Sequence, residues 1–236
     1  MQKAEKRSAM PSIYEQALGK DFKRLHPMIQ RRFSLSSESG MAAIGRGVME
    51  ELWHGAIYTL PFLYVGTWRS IMFPEQGRNV PFSIQKFAYR DSLGRETVTW
   101  IRTFETVKGR VQQRRFDAYM IYSKQRGRIV DYLGTHQHLA VDIDISVAAN
   151  GGVTIRSGEQ RFYEGALGFR FPPAFSGIAE VCEWFDESSG KYRIEVKVKN
   201  RLWGPLFGYR GSFDVEWVPV STLPPELLPR RIEPRE

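Results

Sequence analysis

The feature that most constrains the fold is a series of short segments, each rich in strand-forming residues and separated from the next by turn residues. Residues 192–198 alternate cleanly, with apolar side chains on one face and Arg193, Glu195 and Lys197 on the other, which is typical of a half-buried β-strand. Asn150-Gly151 is a strong hairpin signal. Strands are predicted at residues 41–53, 82–90, 97–105, 111–122, 129–133, 139–147, 153–163, 178–185, 192–198 and 211–218.

Consecutive strands without long helices between them indicate an antiparallel curved sheet. We therefore predict an all-β fold with minor helices, an antiparallel β-barrel or half-barrel of the calycin or lipocalin type. The alternative is an α+β helix-grip fold, in which a curved sheet wraps around a long C-terminal helix. The helix-grip fold ranks second because no long amphipathic helix follows the last strands.

Two helical features accompany the strands. Ser12 and Glu15 form a capping box, and Pro27 stands at the first position of a second helix that buries Leu25, Ile29 and Phe33, so an N-terminal helical pair is predicted. The predicted organisation is a flexible tail (1–11), a single barrel domain (12–220) and a Pro-rich C-terminal tail (221–236) that frays at its end.

An apolar insertion at residues 55–73 follows the first strand. Its apolar side chains recur at intervals of three and four, which predicts a short broken helix with one wide apolar face. The uncharged part is interrupted by Pro61 and Gly66 and is shorter than the roughly 20 residues that a membrane span needs. No transmembrane span is therefore expected.

Composition restricts the compartment and the partners. Cys182 is the only cysteine, so no intrachain disulfide can form, and a cytoplasmic location is expected. The net charge is +8 and is concentrated in residues 1–35 and 108–128. No nucleic-acid-binding motif accompanies this charge, so we interpret it as solvated surface and expect no nucleic-acid partner.

Motifs that carry chemistry are mostly missing. The sequence has no phosphate-binding loop, no complete dinucleotide fingerprint, no nucleophile elbow and no zincin motif, so neither a cofactor nor an enzymatic function is favoured. His136 and His138 stand two residues apart and could share a strand face as metal ligands. The favoured interpretation is a turn in which both imidazoles form hydrogen bonds with nearby groups.

Strand faces that mix aromatic side chains with arginine are the best candidates for a binding site. Such a charge is either solvent-exposed, buried with a partner, or available to the anionic head of an apolar ligand. Glu159 could pair with Arg102 or Arg115 inside the barrel. We expect Arg102 to point inward, because aromatic residues flank it on its face. The candidate ligand-binding residues are Trp100, Arg102, Arg115, Glu159, Arg161 and Tyr163.

A set of short motifs occurs in order along most of the chain. The motifs are Leu25-His26-Pro27 with Phe33, Gly45 through Met49, Asn79-Val80-Pro81-Phe82, Arg102-Thr103-Phe104, Arg115-Phe116-Asp117, Asp131-Tyr132-Leu133-Gly134, and Gly204 through Gly211. Together they resemble the bacterial domain-of-unknown-function family 4166 over about residues 12 to 218. The resemblance implies no activity, cofactor or catalytic residue, since none is established for the family. Some relatives are partner domains of NAD(P)-binding, saccharopine-dehydrogenase-like proteins, which implies an accessory role beside an NAD(P)-binding oxidoreductase partner.

Three functional hypotheses follow from the sequence. The first is a domain that binds a small apolar or amphipathic molecule in a barrel cavity capped by residues 55–73. The second is an enzyme that uses the same cavity, with Glu159, His136 or His138 carrying protons and Arg102 or Arg115 stabilising charge. The third is peripheral attachment to an anionic membrane through the basic N-terminal helices together with the apolar insertion.

Overall fold

The fold is an antiparallel β-barrel, described by a computed structural model for residues 10–108, 110–172, 176–220 and 223–236. The helices are α1 (Ile13–Leu18), α2 (Pro27–Phe33) and α3 (Leu60–Trp68), with 3-10 helices at Gly19–Arg24, Ile57–Thr59 and Pro225–Leu227. The strands are β1 (Met41–His54), β2 (Gly77–Arg90), β3 (Glu96–Lys108), β4 (Arg110–Ser123), β5 (Arg128–Leu133), β6 (Leu139–Val147), β7 (Val153–Glu164), β8 (Leu167–Arg170), β9 (Ile178–Asp186), β10 (Lys191–Asn200) and β11 (Gly204–Pro219).

Ten of these strands close into a barrel. Their order is β6-β5-β4-β3-β2-β1-β11-β10-β9-β7, and pairing between β6 and β7 closes the ring. The predicted barrel is therefore confirmed, and it is complete rather than a half-barrel. The helix-grip alternative is wrong, because α3, the longest helix in the described part of the chain, has only nine residues.

Strand β7 divides its outer edge between two partners. Residues 153–156 pair with β9, whereas residues 161–164 pair with β8, a short strand that the sequence analysis did not predict. The backbones of β7 and β9 therefore separate at one end of the barrel. Side chains bridge the split, because the Ser157 hydroxyl accepts a hydrogen bond from the Ala179 amide (2.7 Å) and the Gln160 amide group donates one to the Gly177 carbonyl.

The predicted N-terminal helical pair closes the opposite end. Ser12 and Glu15 form the expected capping box of α1, and Pro27 occupies the first turn of α2. Ile13, Ile29 and Phe33 are fully buried among the interior side chains of the barrel. The predicted amphipathic pattern thus has a direct role, since its apolar face fills the barrel end.

Aromatic side chains pack the centre of the barrel. The Phe104 ring lies 5.0 Å from both Phe82 and Tyr209, measured between ring centroids, and 5.1 Å from Phe73. On β1, a Cβ atom at Gly45 would come within 2.8 Å of the Phe213 ring, so the absence of a side chain there admits the aromatic layer. The centre is a packed core and not the hollow that the first functional hypothesis assumed.

The C-terminal segment covers part of the outer surface of the barrel. Leu227 packs against outward-facing side chains of β3 to β6, and Glu233 is fully buried. The Glu233 amide donates to the Gln137 side chain (2.8 Å), and the Ser123 hydroxyl donates to the Glu236 carboxylate (2.5 Å). The predicted 1–11 tail lies mostly outside the described residues.

The apolar insertion and the N-terminal helices lie at opposite ends of the barrel. The 14 residues of β1 separate them, which corresponds to about 45 Å along an extended strand. Consistent with this, the His26 amide donates to Gly151 at one end of β6 (2.8 Å), whereas Arg69 approaches Gly134 near the other end. The two features therefore cannot form the shared membrane face of the third hypothesis. No helix within the described ranges is long and apolar enough to cross a membrane.

A buried ion pair joins α2, which closes the N-terminal end of the barrel, to strand β9 of the barrel wall. Arg32 Nε lies 2.5 Å from the Glu183 carboxylate, and both side chains are fully buried. Within the described part of the chain, the other Glu183 oxygen and both terminal guanidinium nitrogens of Arg32 have no hydrogen-bond partner. Each ion therefore depends on the other, because a buried charge without a counter-ion is very costly.

We expect Arg32→Ala to lower the free energy of unfolding by about 3 to 5 kcal/mol, because Glu183 would remain buried without its counter-ion. Urea denaturation measures the change. Arg46→Ala is the matched control, since it removes an exposed Arg46–Glu216 pair and should cost at most about 1 kcal/mol. The double replacement Arg32→Met with Glu183→Leu should be less harmful than Arg32→Ala alone, and a more harmful double replacement would contradict this account.

Candidate functional site

The candidate site is an apolar groove between α3 and the barrel mouth, near the split between β7 and β9. Two adjoining cavities of about 230 and 310 Å³ form it. Small-molecule sites usually measure about 300 to 1,000 Å³ and are mostly apolar, so the groove has the dimensions of a small binding site. Both cavities are lined by Val65, Arg69, Ile71, Leu139 and Phe171.

Backbone contacts of the residues that flank α3 hold this helix over the barrel mouth, so that it forms a lid. The Gly55 amide donates to the Leu206 carbonyl (2.9 Å), and a Cβ atom at Gly55 would collide with Pro205. At the other end of α3, the Ser70 carbonyl accepts from the Asp117 amide (2.9 Å). Gly134, at φ +75°, leaves room for the backbone carbonyl of Arg69, with which a Cβ atom at this position would collide. The lid is thus fixed at both ends.

The turn between β10 and β11 supports the middle of the lid. The Tyr58 hydroxyl donates to the Trp203 carbonyl (2.9 Å), and the Trp203 ring lies 5.9 Å from Tyr58 and 6.4 Å from Phe62, measured between centroids. Asn200 shapes this turn, because its side-chain oxygen accepts from the Leu202 and Trp203 amides. An aromatic wall results on one side of the groove.

A charged recess of about 590 Å³ adjoins the apolar groove. Gln160 and Phe171 line both spaces, and Arg156, Arg170 and Arg201 line the recess. Arg170 Nε lies 3.1 Å from the Glu159 carboxylate, whereas Arg156 and Arg201 form no ion pair with any described residue. An apolar space therefore opens toward a recess that carries three arginines against the two carboxylates of Asp144 and Glu159, a small excess of positive charge.

Two of the six candidate residues point into the barrel core. Trp100 and Arg102 are almost fully buried, as expected for Arg102. Arg102 Nε donates to the Phe116 carbonyl (3.3 Å), Nη1 donates to the Tyr209 hydroxyl (3.4 Å), and the guanidinium carbon lies 3.8 Å from the Phe116 ring centroid. The ion pair suggested between Arg102 and Glu159 does not form, because Glu159 lies on the outer face of the barrel.

The other four candidates lie on the outer face of the barrel. Arg115 binds Asp117 (2.9 Å), and Tyr163 packs with the outer cluster that the C-terminal segment covers. Glu159 and Arg161 pair with each other (2.9 Å). The same outer ion-pair network includes Asp142, Arg126 and Arg170.

A β-bulge explains the outward position of three of these residues. Val153, Ile155 and Ser157 point inward, so strict alternation would also turn residues 159, 161 and 163 inward. The bulge lies opposite Val141 and Ile143 of β6. One residue separates these two in β6, whereas two residues separate their partners Gln160 and Ser157 in β7. Gln160 then points inward, and Glu159, Arg161 and Tyr163 point outward. Of the six candidates, only Glu159 lines one of the described cavities, the charged recess.

The two histidines lie at the rim of the groove. Their rings stack with centroids 5.5 Å apart, and His138 Nδ1 contacts the Tyr163 carbonyl (3.0 Å) and Glu164 (2.8 Å). Burial, followed by the charges of Arg69, His138 and Arg230, lowers the pKa of His136. In the residue ranges covered by the structure, no three His, Cys, Asp or Glu side chains could jointly hold a metal ion.

The proposed acid–base residues do not converge. Arg102 lies in the core, Arg115 and Glu159 are on the outer face, and the histidines are at the rim. General acid–base catalysis needs its groups within hydrogen-bond reach of one substrate position. These residues therefore do not form the shared catalytic site of the second hypothesis.

Sequence reasoning missed the residues that line the groove. Val65 and Ile71 belong to the insertion, whose uncharged composition was a usable signal for a lid. Leu139 and Phe171 come from distant parts of the chain, and no local pattern distinguishes them from ordinary barrel residues. Their role depends on the three-dimensional position of the split between β7 and β9.

Asp131 is a buried carboxyl that sequence reasoning did not single out. Burial raises its pKa to about 7, although Arg102 and a backbone hydrogen bond from Tyr119 act in the opposite direction. Its Oδ1 has no partner among the described residues. Burial and the neighbouring Arg32 also lower the pKa of Lys86 well below its usual value. These groups are enclosed in the core, so they act on stability.

Comparison with known proteins supports the resemblance noted in the sequence. The family model described as domain of unknown function (DUF4166) matches residues 25–213. The chain is similar to the uncharacterized protein YndH of Bacillus subtilis (strain 168), with 34% identity over 207 residues that cover 88% of this chain and 98% of the relative. No solved structure gives a significant match. The family match extends from the start of α2 into β11, and so includes most of the barrel.

We expect Asp131→Asn to gain stability relative to the wild type as pH rises from about 4 to about 7. In this window the unfolded Asp131 loses its proton while the folded one keeps it, so the wild type loses stability with rising pH. The difference between about 7 and the ordinary 3.8 corresponds to at most about 4 kcal/mol. Urea denaturation at several pH values measures it.

Asp144→Asn is the control, because it also removes one carboxylate but at an exposed position. A wild-type and Asp131→Asn difference that stays constant from pH 4 to 7 would contradict the assignment of a protonated Asp131 in the core.

Proposed function

Because the chain belongs to the DUF4166 family, whose description assigns no activity, we propose a function from its geometry: the protein binds a small amphipathic molecule beneath α3 at the barrel mouth. The observation that carries the proposal is the apolar groove under an uncharged lid. Apolar side chains provide most of its walls, and Arg69 is its charged member. Such a lining favours burial of hydrocarbon, because each buried CH₂ group contributes about 0.8 kcal/mol.

The adjoining charged recess determines which end of the ligand would be polar and where that end would lie. A tail beneath α3 would reach the recess past Gln160 and Phe171, which line both spaces. Arg156 and Arg201 make no ion pair with a described residue, so their guanidinium groups are available to donate hydrogen bonds to a carboxylate or phosphate. The ligand class is therefore an amphiphile with one apolar chain and an anionic head.

Binding, rather than catalysis, fits the groove best. Its walls carry no nucleophile with an adjacent base among the described residues. Of the suggested proton carriers, His136 and His138 lie at the rim, whereas Glu159 lies on the outer face of the barrel. The family resemblance adds a second part to this proposal. A bound amphiphile at an open mouth can be presented to an NAD(P)-binding oxidoreductase partner.

We expect a dansylated fatty acid to bind with enhanced fluorescence and to be displaced by unlabelled fatty acid. Val65→Asp should weaken binding at least about tenfold, because it places a carboxylate in the wall of both cavities. Val111→Asp is the matched control, since the two valines are 65% and 66% exposed and Val111 lines neither cavity of the groove.

Arg201→Gln tests the orientation of the ligand. It should weaken displacement by the free fatty acid about tenfold and leave displacement by the methyl ester nearly unchanged, because only the acid offers a charge-assisted hydrogen bond. Equal affinities of Val65→Asp and Val111→Asp would reject the groove as the binding site. Equal losses for the acid and its ester would reject the charged recess as the head-group site.

A further inference from the structure

The outer side of the lid is an exposed apolar surface. From Gly55 to Trp68 the chain has no charged residue, and its helix is apolar on all sides. Leu63 is buried against the barrel, whereas Ile57, Tyr64 and Trp68 are more than half exposed. The predicted single apolar face is thus wrong. An all-apolar helix is normally covered on every side, so the exposed side needs a partner.

The turn between β10 and β11 extends this surface. Leu202 is 72% exposed, and Trp203 contacts the lid through Tyr58 and Phe62. Lid and turn therefore form one continuous patch, which we call the mouth surface. We define it by its exposed residues Ile57, Tyr58, Phe62, Tyr64, Val65, Trp68, Leu202 and Trp203. Patches of this kind on soluble domains mark interaction sites.

Positive charge borders the mouth surface. Arg69 lies at the end of α3 with its guanidinium carbon 4.5 Å from the Trp68 ring centroid, and Arg201 is exposed beside Leu202. Arg230 is exposed near His136, and burial, the largest cause, together with the charges of Arg69, His138 and Arg230 lowers the pKa of that imidazole. The nearby Glu164 is paired with His138. The border thus has an excess of cations.

We propose that the mouth surface docks on an anionic lipid bilayer. Exposed Trp and Tyr side chains suit the membrane interface, because their rings are apolar but carry a polar group. The bordering arginines would meet acidic headgroups. A second copy of this chain fits less well, since two such surfaces placed face to face would oppose cations to cations. The basic N-terminal helices, at the other end of the barrel, take no part.

The test is flotation of the protein with vesicles of phosphatidylcholine alone and of phosphatidylcholine mixed with phosphatidylglycerol. We expect binding to the mixed vesicles, weakened by added salt, and much weaker binding to phosphatidylcholine alone. Ile57→Ser and Leu202→Ser should each lower the partition coefficient about tenfold. Leu93→Ser is the matched control, because Leu93 is also exposed but lies in the turn between β2 and β3, outside the mouth surface.

Arg201→Gln should reduce binding to the mixed vesicles about fivefold and leave binding to phosphatidylcholine unchanged. Ile57 and Leu202 do not line the groove, so both serine variants should bind dansylated fatty acid like the wild type. Docking and ligand binding can therefore fail independently of each other.

Two results would overturn the proposal. One is equal binding of the wild type to both vesicle types or to neither. The other is a dimer in light scattering that Leu202→Ser converts to a monomer, which would assign the mouth surface to a second copy of the chain.

Discussion

The divided edge of β7 is the constraint on which the mouth of this barrel depends. A closed barrel satisfies every strand edge, but β7 pairs with β9 over only its first residues and with β8 over its last. The resulting split has to be bridged, and Ser157 and Gln160 do so with side-chain hydrogen bonds. The candidate groove, the charged recess and the lid all lie around this split. Local loss of strand pairing thus creates the space that a ligand site needs.

The two ends of the barrel are closed in different ways. At the N-terminal end, α1 and α2 fill the interior with apolar side chains and the Arg32–Glu183 pair, which leaves a sealed plug. At the mouth, α3 covers the opening without filling it, so cavities remain beneath it. The same division separates the groups that affect stability from those named in the proposed function. Buried titratable groups such as Asp131 and Lys86 belong to the enclosed core, whereas exposed arginines belong to the mouth.

The lid connects the two proposals made for this protein. Its inner side provides apolar walls to the groove, and its outer side is an apolar surface bordered by Arg69 and Arg201. A helix with apolar side chains all round can contact hydrocarbon on both sides at once. An amphiphile leaving a bilayer beneath the mouth surface would therefore pass from one apolar environment to another without crossing water.

The sequence by itself determined the elements and the fold class. Turn residues and period-two alternation predicted most strands, and the capping box of Ser12 with Glu15 and the position of Pro27 predicted α1 and α2, because these signals depend on neighbouring residues alone. The tertiary structure decided which face each strand turns inward after a bulge. One additional residue in β7 turned Glu159, Arg161 and Tyr163 outward, and the partner strand that creates the bulge is not visible in local sequence. It also decided where space remains, because Leu139 and Phe171 line a groove only through the split that brings them under α3.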